Sequence, residues 1–133
     1  IYLITTVTRR RDPVFQDFRT GRIVVNEMRS LETEGRADTL AWVLMPDHLH
    51  WLMQLGVGQT LARVVRILKG RSSRILNQHL KRNGAVWQSA YHDHAVRRDE
   101  DLNRLARYIV ANPLRAGIVA SVGDYPLWDC VWL

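Results

Sequence analysis

Two stretches of this chain carry side chains suited to holding a metal ion or attacking an electrophile. The first is His48-Leu49-His50. In an extended strand, residues two apart point to one face, so both imidazoles project together while Leu49 turns to the other side. Two converging imidazoles form a natural pair of metal ligands. The same spacing equally suits two sheet histidines that bind nothing. Asp47, just ahead of them, reads as a turn former that can also orient an imidazole. The second stretch holds Tyr108 and Asn112. Leu102, Leu105, Ala106, Ile109 and Val110 follow the i, i+3, i+4, i+7, i+8 rhythm of a buried helical stripe. Tyr108 and Asn112 lie off that stripe, about 40° apart at roughly 100° per residue, one turn from each other. A phenol and a carboxamide placed this way can serve one point, or be a boundary Tyr and a turn-forming Asn.

A second H-x-H, His92-Asp93-His94, raises the question of a joint four-histidine zinc site. Its charged middle residue weighs against that reading. Tyr91 is the rival nucleophile, but a tyrosine beside Trp87 is more simply packing or a stacking surface for bases.

The elements that must position these groups follow from the pattern. Residues 1–8 (IYLITTVT) are β-branched and aromatic and predict a strand ending in Arg9-Arg10-Arg11. Residues 14–34 have helical spacing, interrupted at Gly21 and stopped at Gly35. Residues 40–45 and 48–55 are strands joined across Pro46-Asp47, hence an antiparallel hairpin. Thr60 can cap a helix whose stripe is Leu61, Val64, Val65, Leu68, Ile75 and Leu76. Asn83-Gly84 is a turn, and residues 85–96 predict a fourth strand. Asp99 can cap the last helix, which runs to about Asn112 and stops at Pro113. The tail from Leu114 has aromatic patches at Tyr125 and Trp128–Trp132 and no clear element. The order β-α-β-β-α-β-α predicts an α+β, ferredoxin-like fold: a four-stranded antiparallel sheet with helices on one face, plus a C-terminal helix carrying Tyr108.

Composition bounds the partners. At 133 residues, one domain covers the chain. Nineteen basic against 13 acidic residues give a net charge of +6, which points to a polyanion. All the basic residues but Lys69 and Lys81 are arginines, which suits nucleic acid over a lipid surface. A lone Cys130 excludes an internal disulfide and fits a cytoplasmic location. No apolar run reaches the ~18 residues of a membrane span. On the middle helix Arg63, Arg66, Gly70 and Arg74 fall within about 80° of arc, a basic stripe beside the apolar one. Lys69, Arg97, Arg104 and Arg115 are further candidate phosphate contacts, as are Arg9 to Arg11, Arg98 and Arg107.

Taken together, the motifs resemble the Y1 HUH transposases and, among them, the REP-associated tyrosine transposases. The matching pieces are Met45-Pro46-Asp47-His48-Leu49-His50, the Lys69-Gly70 helix, Trp87-Gln88 with Tyr91 and Asp93-His94, and residues 108–119 (YIVANPLRAGIV). They span nearly the whole chain in order. The resemblance implies the same ferredoxin-like core, a divalent ion (Mg²⁺ or Mn²⁺) on His48 and His50 with Asn112 as third ligand, and Tyr108 as nucleophile. It implies cutting and rejoining of single-stranded or hairpin DNA through a covalent 5′-phosphotyrosine. A non-catalytic hairpin- or single-strand-binding protein is the alternative, and a hydrolase without a covalent intermediate a third reading. Both a monomer and a homodimer that exchanges the Tyr108 helix are compatible with it.

Overall fold

A computed structural model of the chain describes residues 1–97 and 100–131. Five antiparallel strands form the sheet: β1 (Tyr2–Val7), β2 (Ala37–Met45), β3 (His48–Leu55), β4 (His92–Ala95) and β5 (Trp128–Cys130). Their spatial order is β4-β1-β3-β2-β5. The first four reproduce the expected ferredoxin-like arrangement. The fifth corrects the four-strand expectation: the tail returns along β2, pairing Ala41 with Cys130 and Val43 with Trp128. Tyr125 secures that return, its buried hydroxyl donating to Leu44 O.

Alternation along the strands divides the sheet into two faces. Ile4, Thr6, Leu44, Leu49 and Trp51 are buried on one. Helix α1 (Phe18–Thr33) covers this face, with α2 (Leu61–Leu80) packed beside it. Thr5, His48 and His50 alternate onto the other face, along with Val43 and Leu52. Helix α3 (Leu102–Val110) packs on β2 and continues into the short α4 (Asn112–Arg115). Ala106, Ile109 and Val110 are buried, as their spacing requires, while Tyr108 remains 62% exposed.

Several boundaries differ from the sequence reading, each for a local reason. Val14–Gln16 is a separate 3-10 turn. Helix α1 begins only after Asp17, whose carboxylate accepts from Arg19 N at 2.9 Å as an N-cap. Gly21 does not interrupt α1 but lies inside it, because Leu127 packs there: a Cβ would stand 2.5 Å from Leu127 Cδ1. The expected strand over residues 85–96 shrinks to β4. Residues 88–90 have their carbonyls turned to Lys69, whose Nζ donates to Gln88 O at 2.9 Å and Ala90 O at 3.2 Å. Trp87 is buried, its Nε1 donating to Ser72 Oγ at 3.0 Å.

Asp99, Arg98 and Trp132 lie outside the described residues; the cap of α3 is Asp101, which accepts from Arg104 N at 3.2 Å. Pro113 does not end the helical path. It opens α4 at a position where its missing N–H is no loss. Ala111 N still donates to Arg107 O at 3.1 Å, and Arg115 N to Ala111 O at 3.0 Å. Asn112 therefore stays about one turn beyond Tyr108.

Candidate active site

The hairpin β2–β3 sets the histidines. Its turn is clamped by Thr8, whose N donates to Asp47 O at 2.9 Å and whose hydroxyl donates to the same oxygen at 3.1 Å. His48 and His50 then stand side by side on one face, ring centroids 4.8 Å apart and edge to face. Each ring is held at Nδ1. His48 Nδ1 lies 2.7 Å from Asp47 Oδ1, and His50 Nδ1 lies 2.9 Å from Thr5 Oγ1. A carboxylate only accepts, so His48 carries its proton on Nδ1 and presents the Nε2 lone pair. The tautomer in which His50 donates to Thr5 does the same. Asp47 is itself braced by Arg11, 3.4 Å away.

His50 is half-buried, and burial, then the charges of His48 and Arg115, push its imidazole down from 6.5 to about 4. It is therefore neutral, the form that binds a metal, across the physiological range. With two imidazoles oriented by oxygen partners at Nδ1, and Asn112 half-buried on α4, the residues fit a divalent cation that keeps open positions.

The tyrosine reaches this region through Arg115. Its guanidinium lies 3.7 Å from the Tyr108 ring centroid, and its charge acts on His50. A cation so placed lies against the tyrosine ring and near enough to His50 for its charge to act there. Helix termination fixes it. Gly117 has φ 72°, a left-handed value open to glycine, so that Gly117 N reaches Leu114 O at 3.1 Å and Ile118 N reaches Pro113 O at 3.0 Å. That double closure stops α4 just after Arg115.

The other predicted residues fall elsewhere. His92 pairs with Thr5, which pairs in turn with His50, so β1 stands between the two histidine motifs. His94 is bound to Glu100 at 2.9 Å. Among the described residues no group of three or more His, Cys, Asp or Glu side chains is placed to hold a metal ion. Arg63, Arg66 and Arg74 are exposed along α2, and Arg104 is exposed on α3. Lys69 is half-buried and committed to the carbonyls of 88–90 and to Tyr91, 5.2 Å below its ammonium. Arg97 lies 3.8 Å from Glu100. Thr5 was not singled out by the sequence, since only strand register reveals it. The position of Arg115 was legible: Tyr108, Asn112 and Arg115 follow i, i+4, i+7 and share one helical face.

Comparison with known proteins identifies the family and agrees on the fold. The profile of the IS200-like transposases matches residues 1–112. A Haemophilus influenzae protein assigned to the REP-associated tyrosine transposases is 33% identical over 116 residues, covering 77% of this chain and 66% of that protein. The REP-associated tyrosine transposase of Escherichia coli is 31% identical over 88 residues, 65% of this chain and 50% of its own length. The chain thus spans from half to just under two thirds of these relatives. A solved REP-associated tyrosine transposase bound to a REP hairpin superposes with a TM-score of 0.78 at 22% identity, covering 96% of this chain and 74% of that one. A Deinococcus radiodurans structure assigned as a transposase gives 0.63 at 24% identity, covering 81% and 86%. The chain, on the match over residues 1–112, belongs to the IS200-like transposase family.

Proposed function

We propose that this chain is a metal-dependent DNA strand transferase that cuts hairpin-bearing single strands with Tyr108. The observation that carries the reading is Arg115, stacked 3.7 Å over the Tyr108 ring while its charge acts on His50. It links two motifs that lie far apart in the sequence, which supports the reading that both serve one phosphate. The similarity to hairpin-bound and REP-associated relatives supports DNA hairpins as the substrate class.

His48 and His50, with Asn112, would hold Mg²⁺ or Mn²⁺, which would supply charge stabilisation for the pentavalent phosphate. The chain's own residues do the rest. Asp47 and Thr5 orient the two imidazoles. Arg115 leaves the ring to donate two parallel hydrogen bonds to the scissile phosphate. The Tyr108 oxygen gives its proton to water and attacks phosphorus in line; the new Oη–P bond forms as the P–O3′ bond breaks, and the departing 3′ oxygen takes a proton from water. The product is a 5′-phosphotyrosine and a free 3′-hydroxyl. Attack by another 3′-hydroxyl reverses the exchange and rejoins strands without ATP. Arg63, Arg66, Arg74, Arg97 and Arg104 are exposed and serve as phosphate contacts outside this centre.

Tyr108→Phe tests the reading. Incubated with hairpin DNA and Mn²⁺, the wild type should give a protein–DNA band on a denaturing gel. The variant should give none while still shifting the hairpin on a native gel. Undiminished cleavage by Tyr108→Phe would remove the nucleophile, and cleavage without any adduct would favour simple hydrolysis.

A further inference from the structure

The turn that follows β1 holds two residues in a conformation that their types disfavour. Arg10 has φ 58° and Arg11 φ 52°, both in the left-handed region that glycine, asparagine and aspartate tolerate best. The turn is tied at both ends. Arg9 N donates to Val86 O at 2.8 Å, and Arg11 N returns to Thr8 O at 3.1 Å. Asp12, which closes the turn, accepts from Arg82 Nη1 at 2.9 Å, and its carbonyl oxygen lies 2.8 Å from the buried Thr8 hydroxyl. These contacts use the backbone and the side chains of Thr8, Asp12 and Arg82, so glycine at position 10 or 11 would keep them.

The turn brings one of its arginines to the histidine pair. Arg11 Nη1 lies 3.4 Å from Asp47 Oδ2, while Asp47 Oδ1 lies 2.7 Å from His48 Nδ1. The carboxylate is thus held at both oxygens, one by the guanidinium and one by the imidazole. Held at the imidazole alone, it could swing out to water about Cβ–Cγ and leave Nδ1 without an acceptor. Nδ1 would then no longer be fixed as the protonated nitrogen, and Nε2 would carry the proton for part of the time. As a contribution to stability the Arg11–Asp47 pair is small, because the two side chains are 58% and 26% exposed. Backbone strain that stability does not explain points to the site it serves.

We propose that Arg11 is a positioning residue for the metal site: by holding Asp47 it fixes the tautomer in which His48 offers Nε2 to the cation. The left-handed turn is the strain that places its guanidinium there. The inference rests on the metal-dependent reading for the purpose of Nε2, though not for the tautomer itself.

Whole-chain wild type, Arg10→Gly and Arg11→Gly test it, with Arg11→Asn as a second variant that tolerates the conformation and is too short to reach Asp47. Nitrogen-15 NMR of the metal-free proteins at about pH 8.5, roughly two units above the ordinary histidine value, reads the tautomer of neutral His48. Wild type and Arg10→Gly should show the proton on Nδ1. Both Arg11 variants should show a mixture, bind Mn²⁺ about three- to tenfold more weakly by calorimetry without DNA, and melt no lower than the wild type. The sign of the metal effect is diagnostic, since loss of a nearby positive charge alone would tighten the binding of a cation. His48 fixed at Nδ1 in both Arg11 variants, Mn²⁺ binding unchanged or tighter, a lower melting temperature in both, or the same tautomer change in Arg10→Gly would each overturn the proposal. Failure of the metal-dependent reading looks different: the tautomer would respond to Arg11 while no protein, wild type included, bound Mn²⁺.

Discussion

At the scale of single residues, three side chains separate the parts of the site. Arg115 is the first. If it neutralises the scissile phosphate, Arg115→Ala should slow adduct formation by about 100-fold, the size of effect seen when one preorganised donor is removed. On a hairpin whose scissile phosphate is an uncharged methylphosphonate, the same variant should lose only a few-fold. Equal losses on both substrates would leave Arg115 a merely structural role. Asp47 is the second: Asp47→Asn should weaken Mn²⁺ binding by about 10- to 100-fold, measured by calorimetry without DNA. The third is His50. Its folded value of about 4 lies below the ordinary 6.5, so between these values the unfolded chain binds more protons. Metal-free protein should therefore be destabilised as pH falls from 6.5 towards 4, with this contribution fully present above 6.5. Melts in EDTA should show a shallower decline for His50→Gln. The upper part of that window is the clean one, because Glu34, held near 2 by Arg71 and Arg36, adds its own loss once pH drops below 4.5.

At the scale of elements, the device that matters is the α3–α4 elbow and its closure at Gly117. A side chain there would be forced into a left-handed conformation, costing roughly 1–2 kcal/mol. Gly117→Val should lower the melting temperature by a few degrees and reduce adduct formation more than hairpin binding, because the closure also seats Arg115. Loss of stability with full adduct formation would separate Arg115 from its helix end. Much of this level was readable from residue order. The H-x-H strand, the Thr60 and Gly35 helix boundaries and the off-stripe Tyr108 all follow from local pattern, and each is found where that pattern puts it. What was not readable depends on distant partners. Nothing near residues 85–91 announces that Lys69 takes their carbonyls, so a strand-like sequence is held as an irregular segment. Gly21 breaks no helix because Leu127, over a hundred residues away, fills the space beside it. Trp128–Cys130 is too short to be recognised as a strand without β2 to pair with. Thr5 became a site residue only through register.

At the scale of the whole molecule, a net charge of +6 carried almost wholly by arginine should make the proposed DNA binding steeply salt-dependent. Replacing Arg66 or Arg74 by Ala should reduce the slope of log K against log salt by about one each, for any hairpin sequence. An unchanged slope in both would remove α2 from the DNA surface. The charge, the ferredoxin-like sheet and the family match all support the proposed DNA-handling role, and the covalent step is the claim that gives them a common purpose. It can be read directly. Trypsin releases Tyr108 within residues 108–115, so protein incubated with hairpin DNA and Mn²⁺, then digested with nuclease and trypsin, can be analysed by mass spectrometry. The account predicts that this peptide carries a nucleotide 5′-phosphate on Tyr108, and that His48→Ala and EDTA abolish it. DNA cleaved with that peptide unmodified, or a nucleotide found on Tyr91 instead, would contradict it.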